Sequence, residues 1–214
     1  MKGAIVKNII TGISLIIFSL MFTNISSGKI EPETIAGAWL FDEGEGDTVE
    51  DISENGNDGK LVSEPKWVSG KFSQALDFDG QNDYVEVADS ESLDITGTIT
   101  IATWMYKRTD AVHGGTILGK WYQDQSTWSY VLYGLGDGGG GFRLRWSDDS
   151  QTDLEGPYQL PNEEWVHYTA IYDGSTMRVF QNGEEIASTP GEKQIKVTDI
   201  PVWIGNDGYQ QHFD

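Results

Sequence analysis

The chain has 214 residues, in which Asp and Glu outnumber Lys and Arg 34 to 14 for a net charge of −20, and it contains no cysteine. That balance excludes nucleic acid and anionic membrane surfaces as partners, because both require concentrated Lys and Arg. It also excludes disulfides and thiol chemistry, so stability has to come from core packing, with a bound metal as the one available supplement.

Lys2 and Lys7 precede an apolar run from Ile9 to Phe22, and the small residues Ser26, Ser27 and Gly28 follow. A basic start, a short apolar core and a small-residue exit read as an export signal over residues 1–29. The run is shorter than the roughly 20 residues of a bilayer crossing, so no stable membrane insertion is expected after cleavage. All 34 acids lie beyond this leader. The expected destination is secreted, periplasmic or cell-surface. Residues 30–35, with Pro32, read as a short linker, and 36–214 as one domain.

The first expected strand is Ala36 to Phe41, with Trp39 and Phe41 on one face. Gly44 to Gly59 is an acidic loop whose Asn55-Gly56 and Asp58-Gly59 pairs tolerate positive φ and form turns. Lys60 to Val62 reads as a short strand and Trp67 to Phe72 as a packed turn. The stretch ALDFDGQNDYVEVADSESL, Ala75 to Leu93, sets two alternating runs around a polar turn, placing strands at Ala75 to Phe78 and Tyr84 to Val87. Thr98 to Tyr106 carries bulk on both faces, the pattern of a central strand. Further strands are expected at Thr116 to Trp121, Ser129 to Leu135, Phe142 to Trp146, Trp165 to Tyr172, Thr176 to Gln181, Glu184 to Ser188 and Pro201 to Ile204. Asp173-Gly174 and Asn182-Gly183 fall between strand pairs as hairpin turns. No helix-period stripe follows the leader. The expected class is all-β: a two-sheet antiparallel sandwich or jelly roll.

Trp39 to Gly46, Asp51 to Gly59, Gly70 to Gly80, Asp83 to Val87, Ile99 to Trp104, Trp165 to Tyr168, Tyr172 to Gly174, Asn182-Gly183 and Ile204-Gly205 follow one another along the chain. In this order they resemble the laminin-G-like, concanavalin A-like jelly-roll family of bacterial extracellular proteins. The resemblance spans Ala36 to Asp214. It implies two antiparallel sheets packed face to face, often as one module of a larger surface or secreted protein that binds carbohydrate or protein, frequently with calcium. It also implies a closing strand beyond Phe213, so the domain is expected to be truncated before that strand.

Calcium takes six to eight oxygen ligands from polar loops. Three places offer them: Asp51 with its acidic neighbours; Asp79 and Asp83 around Gly80; and Asp124 with Asn206 and Asp207, which resembles the metal-bearing segments of pentraxins. The competing reading gives these residues turn-forming roles. Glycan binding needs rings for sugar C–H faces and planar polar groups for hydroxyls. Trp121, Tyr122, Gln123, Gln125, Trp128 and Tyr209 have that composition, and Trp121 and Trp128 are expected to be exposed because they flank a polar segment. Glycoside hydrolysis needs two carboxylates about 5 to 5.5 Å apart for retention. Glu45 to Glu50 imitates that spacing from a loop, and Glu86 and Asp89 sit at a strand end without a third partner. The histidines are scattered, with His167 read as a strand residue. The expected function is therefore non-catalytic recognition of a polysaccharide or glycoprotein glycan, assisted by calcium. The alternative is a protein-interaction or structural module of a larger surface protein, and the minor one a glycoside hydrolase.

Overall fold

The computed structural model describes residues 30–108, 115–122, 127–134, 140–156 and 160–205. Two units divide the chain between Thr34 and Ile35. In the first, a 3-10 turn spans Pro32–Thr34. The second is a two-sheet antiparallel jelly-roll sandwich. Its strands are β1 (Thr48–Val49), β2 (Gly59–Val62), β3 (Lys66–Ser69), β4 (Gln74–Asp77), β5 (Tyr84–Val87), β6 (Ile99–Tyr106) and β7 (Thr116–Gly119), followed by β8 (Tyr130–Gly134), β9 (Gly140–Arg145), β10 (Gln151–Glu155), β11 (Trp165–Tyr172), β12 (Thr176–Gln181), β13 (Glu184–Pro190) and β14 (Val202–Ile204). One sheet runs β1-β2-β5-β14-β7-β8-β9-β10, the other β13-β12-β11-β6, and β3 and β4 form a separate hairpin. No helix among the described residues is long and apolar enough to cross a membrane.

Alternation writes the core. Val85 and Val87 on β5, Leu132 on β8, and Phe142 and Leu144 on β9 face the sandwich interior, where they meet Ile99, Ile101 and Met105 of β6. Tyr168, Ala170 and Tyr172 of β11, and Met177 and Val179 of β12, complete that interior. Each such large apolar side chain contributes about 1.5–3 kcal/mol when fully buried. β8 is buried at every position, so Val131 and Tyr133 are covered on the opposite, outer side of the eight-stranded sheet. They form a second cluster there with Trp121, Trp128 and Ile200.

Four expectations change. The acidic loop Gly44 to Gly59 contains β1, and Gly59 opens β2 instead of forming a positive-φ turn with Asp58. Ala36 to Phe41 is not a strand: Trp39 makes only an isolated bridge to Asp51. Phe41 takes φ of 56°, left-handed backbone that breaks an extended run. Trp39 and Phe41 still pack on the core, as their spacing required. Lys66–Ser69 is a strand rather than a packed turn, because it pairs with Gln74–Asp77. β6 is not central: it ends the order of its sheet among the described strands, and its outer bulk meets solvent.

Candidate functional site on the four-stranded sheet

β6 and β11 pair antiparallel with Trp104 opposite His167 and Tyr106 opposite Trp165. Since Ile99, Ile101 and Met105 point inward, the period of two sends Trp104 and Tyr106 outward. Trp104 keeps 40% of its surface and Tyr106 39%. At the tip of the β3–β4 hairpin, Phe72 is 79% exposed and meets Trp104 edge to face, centroids 5.6 Å apart. The His167 ring is tilted against Trp104 at 5.1 Å, and Trp165 lies 5.6 Å from Tyr106. The Lys71 ammonium sits 4.1 Å from the Trp104 centroid. Such cation–ring contacts contribute about 0.5–1 kcal/mol at exposed sites.

The β12–β13 turn closes one side. Asn182 and Gly183 have φ of 52° and 85°, the positive values that a two-residue type I′ hairpin requires. Asn182 is clamped to β11: its N–H donates to the His167 carbonyl at 2.8 Å, and its Oδ1 accepts from the His167 N–H at 3.0 Å. Trp104, His167, Asn182 and Gly183 line an open depression of about 310 Å3, at the small end of ligand clefts, about 300–1,000 Å3. A ring wall beside an imidazole and an amide can stack the C–H face of a sugar and pair its hydroxyls. None of these residues was a site candidate on sequence, where His167 read as a strand residue; the Asn-Gly turn and the phase of Trp104 against its inward neighbours are the signals that could have found them.

The rings that the sequence placed in solvent are buried instead. Trp121 and Trp128 are 9% and 3% exposed and pack edge to face at 4.6 Å. Val131 and Tyr133 are apolar side chains on the outer side of β8, and covering them removes the rings from water. Arg143 and Arg145 then lie over Trp121 and Trp128, at 4.9 and 5.4 Å from the ring centroids. Tyr122 is half-buried beside Trp203, centroids 5.8 Å apart. Gln123, Asp124, Gln125, Asn206, Asp207 and Tyr209 lie outside the described residues, as does the leader, residues 1–29.

Asp51 does not fit a metal. Its Oδ1 accepts from the N–H groups of Ala38 and Ser53, and its Oδ2 from the Ser53 hydroxyl and the Asn57 N–H, at 2.7 to 2.9 Å. Four donors fill the lone-pair positions of one carboxylate. Burial opposes its charge, but the bonds from Ala38, Ser53 and Asn57 win and hold its pKa below the ordinary value. Asp79 is spent on a turn, its Oδ1 accepting from the N–H groups of Gln81, Asn82 and Asp83. Asp83 is buried and accepts from the Asp79 N–H. Burial first, and the Asp79 charge second, push its carboxyl up. Among the described residues no three His, Asp or Glu side chains converge as a metal site.

The hydrolase candidates are similarly committed. Glu86 accepts from the Trp203 indole at 3.2 Å. Asp89, with Asp94 and the Thr198 carbonyl, holds the fully buried Lys120 ammonium at 2.5 to 2.8 Å.

Comparison with known proteins agrees with this architecture. The binding domain of Paraclostridial Mosquitocidal Protein 1 superposes with a TM-score of 0.62 at 18% identity, over 78% of this chain and 44% of that one. Domain 4 of the extracellular GH43 arabinanase AbnA from Geobacillus stearothermophilus, solved with arabinotriose, gives 0.60 at 15% identity, over 77% and 81%. The binding domain of Botulinum Neurotoxin DC, solved with SialylT, gives 0.62 at 14% identity, over 86% and 44%. The chain thus spans less than half the length of the two toxin chains, and at these identities the likeness is one of fold. No curated protein matches it. The sequence profile of the concanavalin A-like lectin/glucanases superfamily matches residues 79–214. With that match over most of its length and a two-sheet jelly roll to carry it, the chain belongs to the concanavalin A-like lectin/glucanases superfamily.

Proposed function

We propose that the chain is a non-catalytic module that recognises carbohydrate outside the cytoplasm, and that it does so on the outer face of the four-stranded sheet. One observation carries the reading. The exposed Trp104 ring walls a depression that also presents His167 and Asn182, with Phe72 extending the aromatic surface beyond it. Sugars need that pairing of a ring face with directional polar groups, whereas a bare apolar patch serves protein docking. Among the described residues the lining holds no carboxylate, which favours binding over the acid and nucleophile chemistry of glycoside hydrolysis. Neighbours of the same fold solved with arabinotriose, SialylT and α2,3 sialyllactose support a binding role. The extracellular setting follows from the reading of residues 1–29 as an export signal. Calcium enters the proposal through Asp124, Asn206 and Asp207.

A glycan array probed with the wild type and with Trp104→Ala, in calcium and again in chelator, tests this. The account expects selective signal that Trp104→Ala removes. Signal that survives Trp104→Ala would move the site elsewhere, and no signal from folded wild type would favour a protein partner for the exposed rings. Loss of wild-type signal on chelation would assign calcium a part in recognition.

A further inference from the structure

We infer that the sugar taken by this depression carries an anionic substituent, a carboxylate or a sulfate, held against Lys71; the inference rests on the carbohydrate reading above. Acids outnumber bases 34 to 14 in the chain, yet Trp104, His167, Asn182 and Gly183 line the depression without a single carboxylate. Their polar groups include donors, the Asn182 amide and one ring nitrogen of His167. Asn182 Oδ1 is committed to the His167 N–H, which leaves the Nδ2 amide as its polar edge toward a ligand.

Lys71 adds the charge. Its ammonium lies 4.1 Å from the centroid of Trp104 and 5.8 Å from that of Phe72, and it makes no ion pair among the described residues. Arg108, Lys120, Arg143, Arg178, Lys193 and Lys196 each hold an aspartate. A cation left without a counter-ion on an exposed aromatic wall, in a strongly acidic protein, is placed to take its anion from a ligand. The net charge of −20 does not forbid this. At physiological salt, repulsion from carboxylates farther than about 8 Å is largely screened, while a direct contact is not.

Isothermal titration at physiological salt tests the inference with four probes: sialyllactose and oligogalacturonate for carboxylates, a heparin-derived oligosaccharide for sulfate, and cellohexaose as the neutral control. Each is titrated into wild type, Lys71→Met and Trp104→Ala. Wild type is expected to bind an acidic probe in preference to cellohexaose, and the carboxylate and sulfate arms show which group is read. Lys71→Met should weaken the acidic probe by about tenfold, the worth of one charge-assisted contact, and cellohexaose by clearly less. Trp104→Ala should weaken every probe that binds. Equal binding of neutral and acidic probes, or acidic binding untouched by Lys71→Met, overturns the inference; continued sensitivity to Trp104→Ala would then leave the carbohydrate reading standing. If folded wild type binds none of the four, or Trp104→Ala binds as wild type does, the underlying reading fails and takes the inference with it.

Discussion

Replacing Asp51 with Asn separates a structural carboxylate from a metal ligand. The Asp51 side chain accepts four hydrogen bonds that tie Ala38, Ser53 and Asn57 into one turn. In Asp51→Asn one oxygen survives and serves two of the donors, while the new amide faces the Ser53 hydroxyl and the Asn57 N–H. A buried N–H left without an acceptor costs about 1–3 kcal/mol, and loss of the charge weakens the bonds that remain, so the sum is about 3 kcal/mol. For a domain of this size that lowers Tm by about 6–12 °C. Thermal melts of wild type and variant, in excess EDTA and again in excess calcium, give the answer. The same deficit is expected under both conditions. The penalty should also depend on pH. Because the folded-state pKa of Asp51 lies below its unfolded value, its contribution is complete above the unfolded pKa of about 4 and disappears as pH falls through the folded one. The gap between wild type and variant therefore narrows in acid. A calcium-dependent Tm in wild type that Asp51→Asn abolishes would refute the reasoning.

Two further outcomes follow from buried charges. Lys120→Met removes a buried cation from Asp89 and Asp94, whose side chains keep 30% and 24% of their surface. The loss should be about 2–3 kcal/mol by urea denaturation, and smaller when both aspartates are also changed to Asn; a single variant as stable as wild type would contradict this. Asp83 has the opposite sign to Asp51. Its pKa is raised in the fold by burial and by Asp79, so its ionisation opposes folding as pH rises through that value. Asp83→Asn is expected to gain Tm over wild type between pH 4 and pH 7, measured in parallel melts; a gap that shrinks over that range would be inconsistent with a raised carboxyl.

Local signals carried much of the architecture. Tyr84–Val87, Trp165–Tyr172 and Thr176–Gln181 stand where alternation put them, and Asp173-Gly174 and Asn182-Gly183 connect strands as turn chemistry requires. β10 was unreadable because QTDLE offers Leu154 as its one large apolar residue, and its strand character comes from pairing with β9. The site was less legible, since exposure of a ring depends on a cross-strand or cross-loop neighbour. Trp121 and Trp128 flank a polar segment and look solvent-facing, yet the outer side chains of β8 draw them in. Trp104 looked like one more strand residue until its partner His167 and the Asn182 turn came beside it. The acidic loop around Asp51 resembled a calcium site because sequence displays carboxylates and hides the backbone N–H groups that saturate them.

The central claim is that sugar is read on the outer face of the four-stranded sheet. Mapping amide and indole NMR shifts while titrating an oligosaccharide that binds tests it most directly. The account predicts perturbations concentrated at Phe72, Trp104, His167, Asn182 and Gly183. Perturbations gathered instead at Glu86, Tyr122, Arg143, Arg145 and Trp203, on the outer side of the eight-stranded sheet, would contradict it.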